Sequence, residues 1–244
     1  MTNTLPIKAK VMIGMVAVAS LCALSFGVVR WQSQAWPQLV LLLAAAALSS
    51  RFKVKLPGMT SSMSGNLPVI LLGVTQLGLF ASLLVAVTAA IAQSYSGGNK
   101  TKPVQFVFNA CTLLNAAGLA YLVYHSQMFA GGATATAHTM HLVLAASAYF
   151  MANTAPVASI IGLTEGGNPF ALWHKVFLWS FPNYVIGAGL TAIASAFSTF
   201  TTINGLATLT ALLAVLFVIY QSYKMYVGRA EQSQPRVMAM AAGR

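Results

Sequence analysis

The placement of the cations constrains this chain more than any other feature. Lys8 and Lys10, then Arg51, Lys53 and Lys55, then Lys100 and Lys102, then the stretch from Lys224 to Arg244 form tight groups separated by long apolar runs. Outside these groups stand only Arg30 and Lys175, and the acidic residues number two, Glu165 and Glu231. Soluble domains are about a quarter charged. At 6% charged and 58% hydrophobic, this chain has too little polar surface to cover a globule in water. The bilayer must solvate most of it, which predicts an all-α, polytopic integral membrane helix bundle. A net charge of +11 raises the question of a nucleic-acid partner. The cations sit in short inter-helix loops rather than on one patch, so they suit anionic headgroups and no nucleic acid is expected.

Eight apolar segments follow from the hydropathy, at about 11–29, 36–50, 67–80, 81–95, 104–125, 139–163, 171–198 and 203–227. A span needs ~20 residues. The first and the last four meet that, whereas segments two to four are short and read either as short tilted helices or as a re-entrant element covered by neighbours. About eight spans are expected, with six or seven as alternatives. With the N terminus in the cytoplasm, eight spans put every cation group and Lys175 inside and leave only Arg30 outside, as the positive-inside rule asks. The expectation is therefore N-in/C-in, multi-pass, in a bacterial inner membrane. Residues 1–228 form a single transmembrane domain, and 229–244 form a short polar tail.

Cys22 and Cys111 lie inside apolar runs, so neither a disulfide nor a metal site is expected from them. The first run follows two lysines without a convincing cleavage site and reads as a retained helix. Trp31, Trp36, Tyr95, Tyr124, Trp173 and Tyr226 fall near segment ends, where amphipathic rings favour the headgroup layer. Gly187, Thr191 and Ser195 in segment seven, and Ser82, Ala86 and Ala90 in segment four, form small-residue ladders that predict close helix packing within the subunit.

Polar residues at membrane depth are expensive and often functional. Asn109 and Asn115 lie in segment five, Asn153 and Thr154 precede Pro156 in segment six, and Asn183 and Tyr184 follow Pro182 in segment seven. Kinked helices free backbone carbonyls, and Asn supplies donors and acceptors. These six residues are the candidate ligand-binding set for a cavity among segments five to seven; the plainer alternative is interhelical hydrogen bonding. His138 and His141, three apart, read as interfacial histidines rather than metal ligands, as do His125 and His174. A Glu165–Lys175 ion pair is expected at the cytoplasmic edge. No nucleophile elbow, zincin or phosphate-loop motif occurs, and the Ser/Gly-rich stretch 58–66 lacks a neighbouring base and reads as a loop or re-entrant turn, so no enzyme activity, metal or cofactor is expected.

Three stretches carry a resemblance. They are Lys53-Val54-Lys55-Leu56-Pro57-Gly58-Met59-Thr60 with Ser62-Met63-Ser64; Pro103-Val104-Gln105-Phe106-Val107-Phe108-Asn109; and Asn153-Thr154-Ala155-Pro156-Val157-Ala158 through Leu163-Thr164-Glu165 to Trp179-Ser180-Phe181-Pro182-Asn183-Tyr184. Together, over roughly residues 50–190, they resemble the multi-helix membrane sensor regions ahead of bacterial GGDEF and HD-GYP signalling domains, notably in acidobacteria. The resemblance implies a membrane-embedded input module with a cytoplasmic C terminus and a cytoplasmic signalling partner. No GGDEF or HD-GYP residues are present, so cyclic-di-GMP chemistry does not carry over, and the chain is expected to stand alone. In general character it is also similar to the substrate-capturing membrane subunits of vitamin importers. An intramembrane enzyme ranks last.

Overall fold

The computed structural model describes residues 5–31, 36–55, 62–95, 102–126, 135–197 and 206–222. The tail 229–244 and Tyr226 lie outside the described residues. The chain is a helical bundle. Its helices are α1 (Ile7–Val29), α2 (Trp36–Ser49), α3 (Leu67–Gln76), α4 (Leu79–Tyr95), α5 (Pro103–Tyr124), α6 (Ala135–Glu165), α7 (Pro169–Leu172), α8 (Phe181–Phe197) and α9 (Leu206–Ser222). Three of them, α1, α5 and the Ala137–Glu165 part of α6, are long and apolar enough to cross a membrane.

Proline position explains several boundaries. Pro103 opens α5 and Pro68 lies in the first turn of α3, where a missing N–H costs nothing. Pro156 instead lies inside α6, where it removes a ladder bond. The sequence predicts one helix over segment seven; the structure divides it. Asn168 caps α7 by accepting from the N–H groups of Phe170 and Ala171 at 2.9 and 3.3 Å. The chain then widens into a π turn over Trp173–Phe177 and tightens to a 3-10 turn over Leu178–Ser180 before α8 begins. Pro182, at the second position of α8, has no N–H for the Leu178 carbonyl, so a continuous helix is broken there. Gly166, at φ +74°, makes the turn between α6 and α7. That turn folds back so closely that a Cβ on Gly162 would lie 2.8 Å from Pro169.

A short antiparallel hairpin follows α2, with β1 (Lys53–Lys55) paired to β2 (Ser62–Ser64) in the register Lys53 to Ser64. Sequence reading missed it, because one apolar residue between two polar ones in each strand, Val54 and Met63, is too short an alternation to mark a strand. The Gly65 N–H closes the stem onto the Phe52 carbonyl at 3.1 Å.

The core centres on α3. Every residue from Leu67 to Val74 is buried, enclosed by α2, α4, α5 and α8. Leu77 is extended, so the chain reverses there, and α4 returns along α3. Ser82 Oγ donates to the Gly73 carbonyl at 2.9 Å, and Gly73 faces Val85. Both small-residue ladders mark close approaches. Ser82, Ala86 and Ala90 are all buried. On α8, a Cβ on Gly187 would lie 2.7 Å from Leu67, and Thr191 donates to the Pro68 carbonyl at 3.2 Å.

Contacts at the helix ends give the bundle two distinct poles. At one pole Gly27 abuts Phe80, the Trp31 and Phe80 rings lie 5.1 Å apart, and Gln38 donates to Gln76 at 3.0 Å. The end of α1, the start of α2, the end of α3 and the start of α4 therefore meet beside Arg30. At the other pole Phe52 stacks on Tyr220 and tilts against Phe217 of α9, with ring centroids 5.7 Å apart in both pairs. The same directions carry Lys8, Lys10, the β1 backbone and Lys102 to that second pole. Glu165 and Lys175 are both exposed and form no ion pair among the described residues, contrary to the sequence expectation. An exposed pair is worth only ~0–1 kcal/mol, too little to draw the π turn toward the end of α6.

Candidate ligand cavity

The six candidate polar residues separate into three groups. Asn153, Thr154 and Tyr184 come together. Asn153 Nδ2 donates to the Tyr184 hydroxyl at 3.1 Å. Thr154 donates to the Phe150 carbonyl at 2.7 Å and accepts from the Trp173 indole N–H at 2.9 Å. Phe150 sits among this set, with ring centroids 5.2 Å from Phe181, 4.9 Å from Tyr184 and 5.8 Å from Trp173. The groups largely satisfy one another, so this knot joins α6 to the π turn and α8. Trp173, expected at a headgroup boundary, turns inward to join it.

Asn109 and Asn183 form the second group, and both side chains are exposed. Asn109 lies on the outer face of α5 in its second turn; Asn183 lies in the first turn of α8.

Asn115 stands alone. Its Nδ2 donates to the Val16 carbonyl of α1 at 2.9 Å. Nearby, Ser20 Oγ donates to the Cys111 carbonyl at 3.0 Å, so α1 and α5 are pinned at two points. Asn115 also lines a cavity of about 360 Å³. Ala19, Ala23 and Phe26 of α1 form one wall, Ala152 and Pro156 of α6 the facing wall, and Gly118, Leu119 and Leu122 of α5 the floor, with Leu79 closing one end. The space exists because alanine and glycine occupy positions where larger residues would fill it. Pockets of this size hold small organic ligands. Phe26, Leu119 and Leu122 also contribute to the outer surface, with exposures of 44%, 42% and 54%, so the cavity opens sideways, out of the bundle.

The cavity thus lies among α1, α4, α5 and α6, not among the fifth to seventh segments. The signal was present in the sequence as spacing. Ala19 and Ala23 are four apart, as are Ala152 and Pro156, and Asn115, Gly118, Leu119 and Leu122 follow the 3.6-residue period. What the sequence withheld was which helices face each other.

A second polar cluster closes the α5–α6 corner. The His125 ring stacks on Tyr121 at 4.1 Å and meets Tyr124 edge-on at 5.0 Å. Tyr124 also meets His141 at 6.4 Å and reaches the His138 Nδ1 at 3.5 Å, the outer limit of a hydrogen bond. Loss of water around His125 lowers its proton affinity, and its contact with the Tyr121 carbonyl partly offsets this. Among the described residues no three His, Cys, Asp or Glu side chains gather to hold a metal.

No protein-family model, no curated protein and no solved structure matches this chain, so its likeness to bacterial sensor regions rests on the quoted motifs alone.

Proposed function

We propose that this protein is a multi-pass inner-membrane input module, of the kind found in bacterial sensor regions, that binds a small lipophilic molecule in the cavity beside Asn115 and Pro156. The observation that carries the proposal is the cavity itself: a sideways-opening space within a bundle whose outer surface is apolar. Occupancy would press on α6 next to its proline. The knot of Phe150, Asn153, Thr154, Trp173 and Tyr184 would carry that displacement to α8, and α8 to α3 through Gly187 and Thr191. The output is a shift at the cation-rich pole, where a separate cytoplasmic signalling partner meets the chain. The orientation is N-in/C-in, with α3 and α4 forming one short pair between the longer spans; the shared position of Lys8, Lys10, Arg51 and Lys102 at one pole supports it.

Native mass spectrometry of gently purified protein tests the binding claim, with a stoichiometric apolar adduct as the expected result. An empty chain that stays empty when lipid extract is added back sinks the claim. Reporter fusions at both termini test the orientation, which an external C terminus overturns. Accumulation of a solute inside sealed vesicles would instead favour the substrate-capturing subunit of a transporter.

A further inference from the structure

The chemistry of the cavity wall restricts what it holds. Two residues bring hydrogen-bond acceptors to an otherwise apolar lining, Asn115 through its amide and Ala152 through its carbonyl. The Asn115 amide is oriented by its bond to the Val16 carbonyl, because only the Nδ2 end can donate. Its Oδ1 accepts no hydrogen bond among the described residues. On the facing wall, Ala152 lies four residues before Pro156, and both line the cavity. Pro156 has no N–H, so the Ala152 carbonyl lacks its helical donor. An oxygen in this position in hydrocarbon is costly to leave unmade. No Lys, Arg, His, Asp or Glu lines the cavity, and a charge at membrane depth without a partner is disfavoured. The mouth is formed by Phe26, Leu119 and Leu122 on the lipid-facing side.

On the reading that this cavity is a ligand site, we infer that its occupant is an uncharged, bilayer-soluble hydrophobe bearing a hydroxyl donor, which enters laterally from the lipid and donates to Asn115 Oδ1 or the Ala152 carbonyl. A carboxylate would place charge against two acceptors. An ether or hydrocarbon would leave both unmet. The hydroxyl meets one of the two acceptors, and when that is the Ala152 carbonyl its oxygen can accept the second Asn115 amide hydrogen from the opposite wall.

The test uses the full chain in lipid nanodiscs with two photoactivatable probes, a diazirine-bearing long-chain alcohol and its methyl ether. The alcohol is expected to label peptides from 103–124 and 135–165 about tenfold more than the ether, the ratio corresponding to one net hydrogen bond. Asn115→Leu should erase that preference. Because Asn115 also ties α5 to Val16, Ala152→Phe serves as the second variant: it fills the space, keeps that bond, and should cut alcohol labelling about tenfold. Equal labelling by alcohol and ether overturns the hydroxyl inference and leaves the cavity reading standing. Labelling unchanged by Ala152→Phe, or no labelling of these helices by either probe, overturns both.

Discussion

Helices α1 and α3 are built from much the same apolar alphabet, yet they live in opposite surroundings. Of the 23 residues of α1, only Ala9, Ser20 and Gly27 are buried. Of the 10 residues of α3, eight are. The longer helix is exposed over most of its length, and the shorter is sealed inside protein. In water, apolarity and burial go together. In a bilayer they separate, because lipid tails are as apolar as leucine and nothing drives a leucine inward. What distinguishes α3 is its length, at ~15 Å against a hydrocarbon core of ~30 Å. A helix that short leaves its ends at membrane depth and needs protein around it.

Substitutions break this contrast most sharply in α3. Leu71→Ala is expected to destabilise the protein by about 2 kcal/mol or more, the low end of the range for buried leucines. The void remains in full, while the water-transfer share is lost to lipid. Leu21→Ala in α1, where the side chain is 63% exposed, should be near neutral. Thermal unfolding in one detergent compares the two, and equal losses would refute the distinction.

Glycines give the next step down. Gly187→Ala places a methyl 2.7 Å from Leu67 and should cost about 1–3 kcal/mol through overpacking. Gly14 has nothing within 4 Å of such a methyl, so Gly14→Ala should be neutral or gain about 0.5–1 kcal/mol from helix propensity. A Gly187→Ala protein that melts with the wild type would remove α8 as the cover of α3.

Between these extremes lies the polar knot. Asn153→Leu removes the bond to the Tyr184 hydroxyl and should cost ~0.6–2 kcal/mol. If the knot also carries a displacement from the cavity, the same change weakens the ligand's effect at the cation-rich pole more than it weakens binding. Binding and response lost in equal measure would make the knot purely structural.

The smallest expected effect concerns pH. Loss of water lowers the His125 proton affinity, so an opened chain binds a proton more readily than the closed one. Stability at the α5–α6 corner is then full above the ordinary imidazole pKa of ~6.5 and declines as the pH falls below it. Hydrogen exchange at residues 121–126 should rise on acidification, and His125→Phe should flatten the dependence. A rise of the same size in the variant would remove His125 as the cause.

Much of this was legible in the sequence. The helix positions follow from the apolar runs, because a membrane demands internally satisfied backbone. The break at Pro182 was signalled by its missing N–H, although its reach back to Trp173 was not. The close approach of Gly187 and Thr191 to a neighbour could be expected from their spacing, but the neighbour could not. Polar residues were the least legible. A side chain's type says that it needs a partner, not which way it faces, so Asn109 and Asn183 looked equivalent to Asn153 until the faces were known. The cavity was hardest to see, since it is made by methyl groups and a hydrogen where larger side chains would close it.

The bond from Thr191 to the Pro68 carbonyl joins positions 123 residues apart. A ribosome adding ~5–20 residues per second needs on the order of ten seconds to cover that distance. For that interval α3 exists without the helix that covers its first turn. The Pro68 carbonyl therefore gains its Thr191 partner only after α8 has been made. A pulse-labelled chain truncated before Phe181 should be degraded faster than one that includes α8.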